Sequence, residues 1–285
     1  MTDRLRHLNA DLHAHSTFSD GTMQPAALVG RAAERGVALF ALTDHDEVSG
    51  VAPARAAARD HGLDFVAGVE ISVTFAAQTV HIVGLGIDEN DAALLAGLAL
   101  TRSGRMRRAR QMSDELARAG IPGALEGALR YVGNIDLVSR THFARHLVET
   151  GVCGDTREVF SRYLTEGNPG YVPHQWARLT DAVGWIRGAG GVAVIAHPAR
   201  YRFSATEQWA LFSEFREAGG EAVEVVTSSH DADEVRRFAA LAREFGLDGS
   251  RGSDFHGPGE SHAELGQVPA LPDGVTPVWH RFAAA

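Results

Sequence analysis

Two histidines separated by one residue, His13 and His15, follow the first apolar run of the chain, and Asp20 lies five residues further on. Alternate side chains of an extended strand point to the same face, so the two imidazoles are expected to lie side by side. Imidazole nitrogens together with carboxylate oxygens form a ligand set that suits borderline divalent cations. The first cluster therefore indicates a metal site, although one such pair is weak evidence by itself.

Four further clusters of the same ligand types occur downstream. Each of them closes or follows an apolar run: Thr43-Asp44-His45, Gly68-Val69-Glu70, Ala196-His197-Pro198 and Ser253-Asp254-Phe255-His256. Five clusters supply more ligands than one ion uses, which predicts a site for several metal ions. His81 and His142 are candidates either for a metal ion or for substrate phosphate, and His81 could also be a hydrogen-bonded core histidine.

Composition limits the classes of protein that this chain can represent. Its 285 residues are 45% hydrophobic and 22% charged, which is ordinary for a globular protein. The net charge of −9 argues against a general nucleic-acid coat, which needs a basic surface. One cysteine, Cys153, excludes an internal disulfide. The first residues, Met1 to Arg6, contain no apolar stretch, so we expect a cytoplasmic protein without a membrane anchor. The sequence implies no obligate protein partner.

Short apolar runs alternate with helical patterns in both halves of the chain. They predict strands over 8–12, 37–43, 65–70, 192–196, 222–226 and 247–253, helices over 25–35, 51–60, 207–218 and 233–245, and a hairpin of 71–75 with 79–85. This βαβα order predicts parallel strands with right-handed crossovers. The ligand clusters fall at the carboxyl ends of the predicted strands, which is the face where barrels of parallel strands assemble their chemistry.

The middle of the chain carries almost no strand pattern. Helices are predicted over 101–119, 125–131, 142–150 and 156–164, followed by a loop over 167–173. Ligand candidates lie on both sides of this segment. We therefore expect residues 1–98 and 188–285 to form one α/β barrel, and residues 99–187 to form a helical insertion that contributes to the substrate pocket.

Several basic and aromatic residues are expected near the predicted metal site. The candidates for substrate binding are Arg140, Arg200, His230, Arg108, Arg105, Tyr171 and Trp176. Arg140 and Arg200 each lie within three residues of a ligand histidine. Arg105 and Arg108 share a helix face, which is usually solvated but would also form a fork for a phosphate. The two aromatic residues either stack on a nucleobase or pack beneath the loop.

Other polar residues near the clusters are given supporting roles. Asp44 and Asp46 flank His45 and are predicted to orient an imidazole. Ser16 and Ser228 have no activating base nearby in the sequence, which disfavours serine-nucleophile chemistry.

The combined motifs resemble those of the polymerase and histidinol phosphatase (PHP) family of metal-dependent phosphoesterases. The resemblance is carried by His13-x-His15 with Asp20, Thr43-Asp44-His45, Gly68-Val69-Glu70, Ala196-His197-Pro198 and Ser253-Asp254-x-His256. The segments around His81 and from Arg140 to Arg145 are more similar to the subgroup of 3′,5′-nucleoside bisphosphate phosphatases and related 5′-3′ exoribonucleases. The resemblance implies a distorted (β/α)7 barrel that holds two to three divalent ions.

The resemblance also implies which side chains share an ion. His13, His15, Glu70 and Asp254 would hold the first ion, Glu70 would bridge to a second that is completed by His197 and by His142 or His81, and Asp20, His45 and His256 would hold the third. Glu70, Asp254 and His256 are the candidates for catalytic residues. Manganese is the expected metal, with iron, zinc and magnesium as alternatives, because ligation rich in imidazole disfavours magnesium.

The activity implied by the resemblance is hydrolysis of a phosphomonoester. The substrate would be a nucleoside 3′,5′-bisphosphate such as 3′-phosphoadenosine 5′-phosphate, which would lose its 3′-phosphate to a hydroxide shared by two ions. The alternatives are a 5′-3′ exoribonuclease on short RNA and a histidinol phosphate phosphatase, which would need a carboxylate for the substrate amine. A vestigial, purely binding site is disfavoured because the ligand set is complete.

Overall fold

The computed structural model describes residues 8–282, in which eight strands form one sheet and seven of them make a nearly closed barrel. The strands are β1 (Ala10–Asp11), β2 (Leu39–Leu42), β3 (Asp64–Phe75), β4 (Gln78–Leu85), β5 (Ala177–Arg178), β6 (Val192–Ile195), β7 (Ala222–Thr227) and β8 (Asp248–Gly252). Their order around the barrel is β1-β2-β3-β4-β6-β7-β8, and β5 pairs with β3 outside this path. The predicted seven-stranded α/β barrel is confirmed.

Backbone hydrogen bonds between the two ends of the chain close the barrel beside the ligand clusters. Leu12 donates to the carbonyl of Arg251 at 3.0 Å, and Asp254 donates to the carbonyl of His13 at 2.9 Å. A further bond joins His15 to the carbonyl of Phe255 at 2.9 Å. The first and last ligand clusters are therefore neighbours although about 240 residues separate them in sequence.

Strand β4 departs from the expectation of a parallel barrel. It pairs antiparallel with β3 on one side and with β6 on the other, whereas the remaining neighbours in the barrel are parallel. The predicted strand 65–70 and the predicted hairpin arm 71–75 are one continuous strand, because no turn-forming residue interrupts the extended chain after Glu70. The placement of Glu70 at the end of a strand was therefore wrong, and it lies inside β3.

Ten α-helices surround or extend this sheet in the described residues 8–282. They are α1 (Pro25–Glu34), α2 (Val51–His61), α3 (Ala92–Arg102), α4 (Arg105–Arg118), α5 (Ala124–Leu129), α6 (Arg140–Glu149), α7 (Thr156–Val159), α8 (Leu179–Gly188), α9 (Ala205–Glu217) and α10 (Ala232–Phe245). Short 3-10 turns cover Ile135–Leu137, Pro198–Arg200 and Val278–Arg281, and a π turn covers Phe160–Leu164. None of these helices is long and apolar enough to cross a membrane.

The helix predicted over 101–119 is divided into α3 and α4. The division lies at Ser103 and Gly104, where a β-carbon on Gly104 would collide with the ring of His174. A glycine is therefore required for the close approach of the later loop to the start of α4. This approach brings the arginines of α4 next to Trp176, which lies on the same loop as His174.

Two cores explain how the helical middle of the chain relates to the barrel. Residues from Ala109 to Leu164 have a separate apolar core that includes Met112, Leu116 and Phe143. Helix α8 packs into the main core through Leu179 and other apolar side chains, together with strands β3, β4 and β6. The two boundaries predicted for the insertion, near residues 98 and 187, thus fall within α3 and α8.

Candidate metal centre and substrate pocket

The predicted ligands converge at the end of the barrel where the parallel strands finish. His13 follows the last residue of β1 by two positions, His197 follows β6 by two, and Asp254 follows β8 by two. Glu70 and His81 lie inside β3 and β4, and they reach the same place because this hairpin extends past the end of β2. Parallel and antiparallel strands therefore contribute to one site.

Glu70 is the carboxylate at the centre of this group and is fully buried. Its Oε1 atom lies 3.3 Å from His13 Nε2, 3.0 Å from His81 Nδ1 and 3.0 Å from His197 Nε2. Its Oε2 atom lies 3.3 Å from His15 Nε2 and 2.9 Å from His45 Nδ1. One carboxylate thus faces five imidazoles, which is the arrangement that a residue bridging two cations needs.

Two aspartates face three of these histidines and also His256. Asp254 Oδ1 lies 3.1 Å from His15 Nε2, 3.4 Å from His13 Nε2 and 3.6 Å from His256 Nδ1. Asp20 Oδ1 lies 3.3 Å from His256 Nε2 and 3.8 Å from His45 Nε2. His15 therefore stands between the group around Glu70 and the group around Asp20.

The side chains form four overlapping groups whose ligand atoms all lie within 4.8 Å of one another. They are His15-Asp20-His45-His256, His13-His15-Asp254, His13-Glu70-His197 and His45-Glu70-His81. The set predicted for a third ion is contained in the first group. The set predicted for the first ion is divided between the second and third groups. His142 belongs to none of the groups found among residues 8–282.

Several buried atoms of the cluster have no hydrogen-bond partner. They are His15 Nδ1, Asp20 Oδ1, His45 Nδ1, Glu70 Oε2 and His81 Nδ1. Some approach another polar atom closely without the angles of a hydrogen bond, as Glu70 Oε2 does with His45 Nδ1. A buried polar atom without a partner costs about 1–3 kcal/mol. Cations between these atoms would satisfy them, so the donor set fits divalent metal ions.

The electrostatics of the cluster leave Glu70, His15 and His197 in forms that bind metals. Burial opposes ionisation of Glu70, but the neighbouring histidines, His81 first, hold the pKa of this carboxyl well below its usual value. Burial, with the charges of nearby histidines, lowers the pKa of His15 to about 3. Burial and the charge of Arg200 lower the pKa of His197 to about 4. At neutral pH the carboxylate is ionised and both of these imidazoles are uncharged.

His45 behaves differently because carboxylates face it from two sides. Burial disfavours charge on this ring, but Glu70 and Asp20 outweigh burial and raise the pKa of His45 to about 9. The two carboxylates therefore stabilise a positive charge between them, which is the charge of protonated His45 when no metal ion is bound. This excess of negative charge is a second feature that suits cations.

Backbone strain is concentrated beside the ligands. Asp46, His197 and Asp254 have positive φ angles of 50°, 26° and 53°, which non-glycine residues rarely adopt. Such conformations persist where the surrounding structure enforces them, and they are typical of functional sites. In this chain they aim side chains that follow β6 and β8 at the cluster.

Asp44 and Asp46 have partners other than the predicted imidazoles. The Asp44 carboxylate accepts hydrogen bonds from the backbone and hydroxyl of Ser16 and from the hydroxyl of Ser19, at 2.6–2.7 Å. It thereby shapes the loop that carries Asp20. Asp46 accepts from the backbone of Ser72 at 2.8 Å and pairs with Arg105.

Sequence analysis missed Glu224, which touches two of the ligand segments. Its Oε1 lies 2.7 Å from His13 Nδ1, and its Oε2 accepts from the backbone nitrogen of His197 at 2.6 Å. The available signal was one acidic residue inside the otherwise apolar run Ala222–Thr227. That signal matches no motif, so it did not stand out.

A cavity of about 520 Å³ opens beside the metal-ligand cluster. Besides several of the ligands, its lining includes Arg105, Arg108, Arg140, Arg200, Trp176 and Phe160. A second cavity of about 390 Å³ shares His81, Arg140, Phe160, His197 and Arg200 with the first and adds Tyr171 and Arg202. Six of the seven predicted substrate-binding residues, all except His230, therefore border these cavities.

Two of the arginines are positively charged groups without a carboxylate partner. Arg108 donates to the carbonyl of Val172 at 2.9 Å, and Arg140 donates to the carbonyl of Leu164 at 3.3 Å. No carboxylate among residues 8–282 forms an ion pair with either one. Burial, with the charges of Arg140 and Arg105, lowers the pKa of Arg108 to about 9. Cations without an anionic partner make this part of the cavity suited to an anion.

Arg200 contacts the ligand cluster, whereas His230 and His142 contact backbone segments next to it. Arg200 is paired with Asp254 Oδ2 at 2.6 Å, so it contacts the ligand cluster directly. His230 bonds the backbone on both sides, at the carbonyl of Val225 (3.1 Å) and the nitrogen of Ala199 (3.4 Å), and it does not line either cavity. His142 Nδ1 accepts from Ser139 at the start of α6. Both histidines support backbone segments near the site.

Comparison with known proteins agrees with this geometry. Residues 11–225 match the model of the PHP domain. A 3′,5′-nucleoside bisphosphate phosphatase of Chromobacterium violaceum is 52% identical over 276 residues, which is 97% of each chain. The 5′-3′ exoribonuclease Rnm of Escherichia coli is 44% identical over 271 residues, which is 94% of this chain and 92% of the relative.

Solved structures give the same result. A chain described as an amidohydrolase of Chromobacterium violaceum, with bound sulfate and no metal, superposes with a TM-score of 0.93 at 52% identity and covers 96% of this chain and 95% of its own. A metal-dependent phosphoesterase of Bifidobacterium adolescentis superposes with a TM-score of 0.79 at 27% identity, covering 94% and 92%. The chain therefore belongs to the PHP family of metal-dependent phosphoesterases.

Proposed function

We propose that this phosphoesterase removes the 3′-phosphate of nucleoside 3′,5′-bisphosphates, such as 3′-phosphoadenosine 5′-phosphate, with two to three divalent ions, preferably manganese. The relative at 52% identity carries that activity in its name. The observation that carries the proposal is a pair of arginines without a carboxylate partner, the buried Arg108 and the half-buried Arg140, on the cavity wall near the ligand cluster. A substrate with two phosphates places one at the metals and the other at these arginines.

The metal ions would be held by His13, His15, Asp20, His45, Glu70, His81, His197, Asp254 and His256. When bound, such ions polarise phosphoryl oxygens and supply an activated water at neutral pH. Glu70 and Asp254 keep the histidines in position as ionised carboxylates. Arg200, paired with Asp254, lies where it would neutralise the phosphate that reacts.

Arginine is suited to the phosphate that does not react. Its planar guanidinium forms two parallel hydrogen bonds with a phosphate, and it stays charged in a partly dry site. Arg105 is held by Asp46 and Ser72, which leaves Arg108 and Arg140 with free donors. The ring of Trp176 lies against Arg105 and Arg108, 4.7 and 5.5 Å from their guanidinium carbons. Trp176 thus supports the arginines, and Phe160 and Tyr171 are left to contact the nucleoside.

Short RNA is the second candidate substrate, and one feature favours it. The two cavities share wall residues, so a chain that leaves the first cavity can continue into the second, past Tyr171 and Arg202. An aminoalkyl phosphate such as histidinol phosphate is less suited. The nearby carboxylate of Glu260 is already paired with Arg145 at 2.7 Å, so it is not free to pair with the substrate amine.

The test is a comparison of three substrates on protein loaded with manganese. We expect kcat/KM to be highest for a nucleoside 3′,5′-bisphosphate, lower for a 5′-phosphorylated trinucleotide, and lowest for an aryl phosphate. The position of cleavage is read by separating the products, and a 5′-mononucleotide is expected. A higher kcat/KM for the trinucleotide would favour the exoribonuclease hypothesis over the proposal. A higher kcat/KM for the aryl phosphate would contradict both hypotheses.

A further inference from the structure

Glu224 is buried in the barrel and is not one of the predicted metal ligands. It lies on β7, and 1% of its surface is exposed. A register shift between Glu224 and Val226 marks a bulge in the pairing of β7 with β8. Bulges next to active sites redirect a side chain. Here the carboxylate reaches the ligand segments that follow β1 and β6.

The contacts of Glu224 fix one ring and one backbone group. His13 Nδ1 lies 2.7 Å from one carboxylate oxygen, and the backbone nitrogen of His197 donates to the other at 2.6 Å. With its proton held on Nδ1, His13 presents the lone pair of Nε2, which is the atom that faces Glu70, Asp254 and His15. The second contact restrains His197, whose φ angle is 26°.

We propose that Glu224 is the positioning residue of the metal centre, which sets the tautomer of His13 and the backbone of His197 so that both aim at one ion. The inference rests on the metal centre of the proposed function. A ligand histidine commonly donates its second ring N–H to a carboxylate, and loss of that carboxylate typically lowers metal affinity about 10–100-fold. Glu224 contacts two candidate ligands, which follow different strands, with one carboxylate.

A carboxylate is required because both of its partners are donors. Glutamine has one acceptor oxygen, and its amide nitrogen would face either the His13 N–H or the His197 N–H. Glu224→Gln therefore preserves shape and breaks one of the two contacts. Glu224→Asp keeps the charge but shortens the side chain by one methylene group, so it cannot reach both partners. Both variants are expected to bind metal more weakly.

The experiment measures manganese binding by competition with a chelator, together with metal content by elemental analysis. Glu224→Gln and Glu224→Asp should each weaken the tightest ion about 10–100-fold. The control Glu221→Gln removes the ion pair with Arg281 just before β7, outside the cluster, and should bind as the native protein does. Affinities of both Glu224 variants within twofold of native would overturn the proposal.

A measurement on native protein covers the case in which the variants do not fold. Histidine with labelled ring nitrogens is incorporated, the protein is loaded with NMR-active cadmium, and the coupling between metal and nitrogen is observed. Coupling to His13 Nε2, with a proton on Nδ1, is expected. Coupling to Nδ1 would overturn the proposal. Absence of any bound metal in native protein would instead contradict the proposed function itself.

Discussion

At the scale of single residues, strand positions bring the candidate ligands together, whereas loop geometry decides the partners of the other polar side chains. His13, His15, His45, Glu70, His197, Asp254 and His256 meet in one cluster because each follows or lies in a strand of the same barrel end. The hydrogen-bond partners of the other polar side chains do not follow from strand positions. Whether Asp44 meets an imidazole or the Ser16 hydroxyl depends on loop geometry that residue spacing does not encode.

Glu70→Gln tests the central carboxylate. Both carboxylate oxygens face histidines, and the amide has one oxygen and no charge, so we expect activity to fall at least about a thousandfold. The measurement is kcat/KM with saturating manganese. The control is His61→Asn, at an exposed position at the end of α2, which should leave kcat/KM unchanged. Near-normal turnover of Glu70→Gln would exclude a bridging role.

The arginines give a prediction about substrate choice. Arg108→Ala and Arg140→Ala remove cavity-lining cations that have no carboxylate partner, so each should cost about 2–4 kcal/mol in kcat/KM on the bisphosphate. On an aryl phosphate, which lacks the second phosphate, the loss should largely vanish. Arg200→Ala should reduce activity on both substrates, because Arg200 contacts Asp254. Equal losses on both substrates for Arg108 and Arg140 would assign these residues to the reacting phosphate.

At the scale of elements, the helix and strand positions were predicted closely where turn signals were strong. Helix α1 begins at Pro25 and α2 ends before Gly62, which has the expected left-handed conformation. The hairpin of β3 and β4 was harder, because the extended pattern of β3 continues through Glu70 without a break. A continuous strand and a strand followed by a hairpin arm have the same alternation, so spacing alone does not separate them.

Gly252 at the end of β8 permits a close approach to His13 where the barrel closes. A β-carbon there would collide with the β-carbon of His13 and lie 2.9 Å from its backbone nitrogen. Gly252→Ala should therefore lower the free energy of unfolding by about 1–3 kcal/mol and weaken metal binding, because His13 must move.

The matched control is Gly184→Ala in the middle of α8, where a β-carbon meets nothing within 4 Å. It should raise the free energy of unfolding by about 0.5–1 kcal/mol. Chemical denaturation measures the stability of both variants, and chelator competition measures their metal affinity. Equal changes in the free energy of unfolding and in metal affinity for the two variants would show that neither property depends on the close contact between β8 and His13.

At the scale of the whole molecule, the site is assembled from both ends of the chain. Backbone hydrogen bonds between the segments after β1 and β8 bring His13 beside Asp254. The helical middle segment adds Arg105, Arg108 and Arg140 to the cavity wall. Sequence could predict this convergence because strand ends of a barrel share one face. It could not predict the cavity, whose walls depend on how residues 99–187 pack over the barrel. That packing places buried cations next to buried carboxylates, and stability and metal binding should therefore be linked.

The last prediction follows from this linkage. Ions that bind only the folded chain stabilise it by about 2.7 kcal/mol per site at a hundredfold excess over the dissociation constant. Elemental analysis of manganese-loaded protein should find two to three ions per chain, and chelation should abolish activity and lower Tm by several degrees. Magnesium should restore less of the Tm than manganese, because six histidines belong to the four ligand groups. A Tm that is insensitive to chelator, with at most one ion per chain, would mean that the carboxylates and imidazoles satisfy one another without metal.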